Sequence, residues 1–166
     1  MGILISSFIG CGRRYFKNTY GDKVKIFDAV DNINVDEEEK ESLEGYFNKV
    51  MEEVSKNDIV FIGSSEKIRD IFNENNVDYD IFYPSSERRG EFIENQVRKH
   101  TNPKIIMSLD RDFDKMISNI DRDESENCYK HKLKNSNEFI GNSPIIMQYI
   151  DSLERQTKTK EGNDKD

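Results

Sequence analysis

Four short apolar runs recur along the chain, Ile3 to Ser7, Val24 to Asp28, Ile59 to Gly63 and Tyr79 to Tyr83, each separated from the next by helical sequence. They are rich in Ile, Val and Phe and lack the polar alternation of a strand with one wet face. A strand that is apolar on both sides must be covered on both sides. The pattern therefore predicts an α/β three-layer sandwich, in which right-handed crossovers join parallel strands. "CYKHKL", at 128–133, reads as a fifth strand at a sheet edge.

The intervening stretches carry helix signals. Asp36 with Glu39 resembles a capping box, followed by Leu43, Phe47, Val50, Met51 and Val54 on one face and an end near Ser55. Ser65 is placed to cap a helix running to Asn75. Ser86 opens a segment to His100 whose only apolar residues at helical spacing are Phe92, Ile93 and Val97. So thin a stripe predicts a mostly exposed helix, suited to a mobile lid. Asn102-Pro103 starts a core helix, and Ser143-Pro144 starts a last helix to about Arg155. The polar run "TKTKEGNDKD" has nothing to bury, so 1–156 is expected to form one domain and 157–166 a disordered tail.

A chain of 166 residues buries roughly 70% of its extended surface, enough for a core without staples. The net charge of −8 argues against broad nucleic-acid or acidic-membrane binding, which needs basic patches. Any phosphate site must be local. Cys11 and Cys128 are far apart, in neither metal-ligand nor redox spacing. No apolar run approaches the eighteen residues of a membrane span, and the expected location is cytoplasmic.

The first strand ends in "SFIGCGRRY". Two glycines one residue apart let a backbone curl closely, and a helix beginning at Arg13 offers unpaired amides to an anion. In the full phosphate-loop pattern, G-x4-G-K-S/T, the lysine neutralises the outer phosphates and the hydroxyl ligates magnesium. Here the corresponding residues are Ser7, Gly12, Arg13 and Arg14.

Read with "ILISSFIGCGRRY", "KVKIFDAVD", "NDIVFIGSSEKIRDIFNENNVDYDIFYPS" and "ERRGEFIENQVRKH", the chain resembles the small P-loop nucleoside and nucleotide kinases, most closely the short adenylate-kinase-like proteins of bacteriophages. The resemblance implies a five-stranded parallel sheet, ATP as phosphoryl donor and a nucleoside monophosphate-like acceptor. It implies a phosphate-binding set of Ser7, Gly10, Cys11, Gly12, Arg13 and Arg14, with Arg13, Asp28 and Arg98 at the reaction. Asp31 shares the position of Asp28 just beyond the second strand, and Arg88 and Arg89 join Arg98 as lid cations. The loop departs from the family: Arg13 is bulkier than an ammonium, and Arg14 puts a cation where the magnesium-holding hydroxyl belongs. Two adjacent arginines suit a phosphorylated ligand bound without metal.

Plainer readings compete at each position. The glycines also suit an ordinary strand-to-helix turn, Asp28 and Asp31 a strand-end turn, and the arginines the wet face of a helix. Cys11 is a small turn residue, and His100 and His131 receive no catalytic role. The expected function is thus a kinase-fold protein that binds a nucleotide or other phosphorylated ligand at 7–14, with transfer weak or lost. The alternative is an inactive scaffold that binds and inhibits a host protein through an apolar patch near Phe92 and Tyr83, or on the last helix.

Overall fold

The computed structural model describes residues 2–164. Its five strands, β1 (Ile3–Ser7), β2 (Ile26–Asp28), β3 (Ile59–Ile62), β4 (Tyr79–Pro84) and β5 (Cys128–Leu133), form one parallel sheet in the order β2-β3-β1-β4-β5. All four residues of β3 are fully buried, as are Ile5, Ile81 and Phe82 of the neighbouring strands. Strands covered on both faces explain why the sequence shows apolar runs without alternation. β5 lies at an edge, as expected, and its central residues are polar and partly open.

Helices cover this sheet. α1 (Arg13–Tyr20) follows β1 and sets Phe16 edge-on against Phe61 of β3, with ring centroids 5.7 Å apart. Asp28 caps the four-residue α2 (Ala29–Asn32). α3 (Lys40–Val54) and α4 (Glu66–Glu74) meet through Phe47 and Phe72, and Ser65 caps α4 by accepting from the Ile68 amide. α5 (Arg89–Arg98) and α6 (Pro103–Asp121) connect β4 to β5, and α7 (Pro144–Asn163) closes the chain.

The structure differs from expectation in two places. Asp36 does not form a capping box with Glu39; its carboxylate accepts from the Glu38 amide, and α3 starts at Lys40. The segment 86–100 is mostly exposed, as expected, with nine of its fifteen residues open to solvent, and its inner face is anchored in the core. Phe92, Gln96 and Arg88 are all buried, and Phe92 meets the rings of Phe8 and Phe113. Three buried side chains fix it to the core beneath a wet outer face. Finally, residues 157–163 continue α7 rather than lacking structure, with Thr157 and Thr159 hydroxyls donating to the carbonyls of Leu153 and Arg155. A helix already nucleated on core contacts extends over residues that tolerate it; 165–166 lie outside the described residues.

The connection leaving β1 runs one way across the sheet and those leaving β3 and β4 run the other, so the order reverses at β1. Open α/β sheets place ligands at the carboxyl ends of strands at such a reversal.

Candidate functional site

The turn from β1 into α1 is built from a ladder bond, a tight turn and a left-handed glycine. The Phe8 amide continues the sheet by donating to Phe82 O at 3.0 Å, and the Cys11 amide folds back on Phe8 O at 3.2 Å. Gly10 and Gly12 take φ of 88° and 94°, in the region that L side chains avoid. Both are also closely packed: a Cβ on Gly10 would stand 3.1 Å from Phe92, and one on Gly12 3.3 Å from Phe139. Among the described residues the amides of Ile9, Gly10 and Gly12 make no hydrogen bond, and α1 begins without a side-chain cap.

This turn forms part of the wall of a cleft of about 840 Å³ at the carboxyl end of the sheet. Ser7, Phe8, Ile9 and Gly10 line it beside Arg13. One flank is apolar, from Ala29, Val30, Ile33 and Val35; the other is the face of α6 that carries Ile105, Leu109, Asp112 and Met116. A polar end is formed by Glu37, Tyr46 and Ser65. There the Ser65 hydroxyl donates to Glu37 Oε1 at 2.5 Å, and the Tyr46 hydroxyl accepts from the Gly63 amide at 3.4 Å.

Arg13 is the first residue of α1, and Lys17 follows one turn later on the same face. Both point at the carboxylates beyond β2. Lys17 Nζ lies 2.6 Å from Asp28 Oδ2 and 3.1 Å from Asp31 Oδ2, while Arg13 Nη2 donates to Asp31 Oδ1 at 3.1 Å. Arg13 Nε sits 3.0 Å from Asp28 Oδ2, yet it is not aligned to donate, so this buried N–H has no acceptor among the described residues. Burial pushes the Asp31 carboxyl up, but the hydrogen bond from Lys17 and the charges of Arg13, Lys17 and Arg14 outweigh it, holding it below the usual range. Asp28 is buried and also accepts from the Val30 and Asp31 amides. In this arrangement Asp28 serves as an ion-pair partner and helix cap.

The structure thus brings Ser7, Gly10, Arg13 and Asp28 to one region and sets other expected residues apart from it. Cys11 is buried, its thiol directed at Phe82 O, and burial drives its pKa far above the ordinary thiol value despite the charge of Arg88. Arg14 is exposed. The Ser7 hydroxyl donates to the neighbouring Phe8 carbonyl. Arg98 stands 71% exposed, paired with Glu94 at 2.6 Å, and is not among the residues lining the cleft. Arg89 is tied to Asp110 of α6. Arg88, expected as a lid cation, is buried: its guanidinium donates to both carboxylate oxygens of Glu91 and to the carbonyls of Leu133, Ser136 and Glu138. It is an internal clamp.

The sequence reading missed Lys17, Glu37, Tyr46 and the α6 wall. Lys17 was legible as the i+4 neighbour of Arg13. The others carry no local signal, because the fold alone brings them to β1.

No family model matches the chain, and no curated protein matches it. A solved structure of an uncharacterized protein from Eubacterium ventriosum ATCC 27560 is similar, with a TM-score of 0.50 and 14% identity over 92% of this chain and 98% of that one. The likeness shows a shared α/β architecture: a parallel five-stranded sheet flanked by helices. No helix among the described residues is long and apolar enough to cross a membrane.

Proposed function

We propose that the chain is a P-loop kinase-type protein that binds a nucleotide or other phosphorylated small molecule in the cleft beside Ser7–Arg14, with phosphoryl transfer weak or lost. The observation that carries this reading is the pair of unbonded amides, Ile9 and Gly10, in the cleft wall beside Arg13. Backbone donors at a helix N-terminus suit an oxyanion, and the apolar flanks suit the body of a ligand that carries one.

The residues present do not suit magnesium triphosphate. Arg14 supplies a cation where a metal-holding hydroxyl is required, and the hydroxyls of Ser6 and Ser7 at the end of β1 are engaged with the carbonyls of Gly63 and Phe8. Arg13 is shared with Asp28 and Asp31 rather than presented to a second phosphate. Binding without efficient transfer follows, since phosphoryl transfer depends on positioning and charge neutralisation. The alternative of a protein-binding scaffold loses one of its two expected patches, because Phe92 and Tyr83 are buried, while the last helix exposes Ile145.

Titration calorimetry with AMP, ADP and ATP, each with and without magnesium, tests the reading. Binding independent of magnesium, weakened by Arg13→Met and unaffected by Lys49→Ala on distant α3, is the expected result. No measurable heat from any of the three at millimolar concentration would overturn it.

A further inference from the structure

The turn after β3 holds two polar side chains in the cleft wall. The Gly63 amide donates to the Tyr46 hydroxyl at 3.4 Å, and two positions further on the Ser65 hydroxyl donates to Glu37 Oε1 at 2.5 Å. Tyr46 and Glu37 both line the cleft, and they lie close enough for the Glu37 charge to act on the phenol. Tyr46 is buried, and its hydroxyl, which accepts from Gly63, has no acceptor for its own proton among the described residues. Burial, reinforced by the charges of Asp28 and Glu37, pushes this hydroxyl up to about 12 against the bond from Gly63, so the proton stays on at neutral pH. Glu37 Oε2 makes no hydrogen bond or ion pair among the described residues, and Oε1 keeps a second lone pair. This part of the cleft therefore offers one donor beside two acceptors.

We propose that Tyr46 and Glu37 read a guanine base, so that the phosphorylated ligand of the cleft is a guanine nucleotide. The inference rests on the binding reading given above and narrows it to one base. The outer edge of guanine carries an acceptor, O6, followed by two donors, N1–H and the 2-amino group. Tyr46 complements the acceptor, and the Glu37 carboxylate takes both donors, as a carboxylate takes the paired N–H groups of an arginine. The other bases lack this order. Adenine and cytosine set a ring-nitrogen acceptor beside their single amino group, and uracil flanks its N–H with two carbonyls, so each turns lone pairs toward a carboxylate. The cleft walls suit a flat ring. Val30 on one flank and Ile105 and Met116 on the other are all exposed, and a ring entering between them removes apolar surface from water. The volume of about 840 Å³ is in the range of sites for ligands of nucleotide size.

Calorimetry on the full chain with GDP, inosine diphosphate, ADP and inorganic pyrophosphate tests the assignment. GDP should bind tightest and ADP about thirtyfold more weakly, the discrimination of one bidentate pair. Inosine diphosphate, which lacks only the 2-amino group of GDP, should fall between them. Glu37→Gln should bring GDP within about threefold of ADP and leave pyrophosphate affinity unchanged, because a carboxamide turns a donor toward one of the donors of guanine. Tyr46→Phe should weaken GDP and inosine diphosphate, which share O6, more than ADP. Equal affinity for GDP and ADP, a preference for ADP, or a uniform shift of all four ligands in Glu37→Gln would overturn the guanine assignment and leave the binding reading standing. The absence of heat from all four at millimolar concentration would remove both. Should either variant fail to fold, the order of the three nucleotides on the natural chain decides alone.

Discussion

Two arginines separated by 75 positions show how differently the same side chain is used. Arg88 is buried, and its donors reach five acceptor oxygens, two on Glu91 and three on the backbone between 133 and 138. Its guanidinium also lies over the rings of Phe92 and Phe139, at 5.0 and 5.1 Å. Arg13 is 18% exposed, shares two carboxylates with Lys17, and keeps a buried Nε without an aligned acceptor. One cluster is saturated and the other is not. A saturated guanidinium has nothing left to offer a ligand, so it serves the scaffold; an unsaturated one beside a cleft retains donors for a guest. Of the two, the proposed binding reading therefore rests on Arg13, although the sequence presents Arg88 as an equally good cation.

The largest effect expected from this contrast is on stability. Arg88→Met leaves three backbone carbonyls and the Glu91 carboxylate without their donor, a loss of about 3–5 kcal/mol for breaking a buried charged network. Urea unfolding should show a much lower midpoint with an unchanged slope. Arg13→Met should cost under about 1 kcal/mol, because Lys17 still neutralises Asp28 and the site is partly open. Equal losses for the two variants would end the distinction between clamp and binding residue.

Glycines sharpen the same contrast at smaller scale. Gly10→Ala places a Cβ at φ 88° and 3.1 Å from the Phe92 ring, costing about 1–2 kcal/mol from backbone strain alone. Gly45→Ala, mid-helix in α3 with nothing within 4 Å of the new methyl, should instead stabilise by about 0.5–1 kcal/mol. Opposite signs in one denaturation series would separate a glycine required by the turn from one the helix merely tolerates.

What the sequence reveals of this molecule follows physical range. β1, β3 and β4 were legible because burial on both faces leaves its mark within four to six consecutive residues. Ser65 and the Asn102-Pro103 start were legible because caps act within one helical turn. The role of Arg88 was not, since its partners at Leu133, Ser136 and Glu138 lie 45 to 50 positions away, and a sequence displays charge without displaying what meets it. The burial of Gln96 was hidden for a related reason: it packs against the glycine turn, which no periodicity within 86–100 can report, whereas Phe92 stood on the apolar stripe. At the loop, the glycine spacing disclosed the backbone shape, but the fold decides which amides it leaves unbonded.

The smallest expected change concerns Asp31, and it asks whether the Arg13 cluster is adjustable as well as unsaturated. Asp31→Asn keeps the shape while removing one of the two charges that hold Arg13 and Lys17. Because Asp31 is substantially exposed, the stability change at neutral pH should stay within about 1 kcal/mol. Its pH dependence has a definite sign. The folded carboxyl titrates below its usual range, chiefly because Lys17, Arg13 and Arg14 overcome the opposing effect of burial. Its contribution is complete above the unfolded value of about 3.9 and is lost as pH falls through the lower folded value. Against the variant, the natural chain should therefore lose relative stability only in acid, a difference read by unfolding at pH 7 and pH 3. In the same variant Arg13 Nη2 loses its charged acceptor and turns more readily to a guest, so pyrophosphate should bind about threefold more tightly by calorimetry, a change worth roughly 0.7 kcal/mol. Unchanged or weaker affinity would mean that Asp31 holds Arg13 in its binding position rather than competing for it, and the cluster would then be as fixed as the one around Arg88.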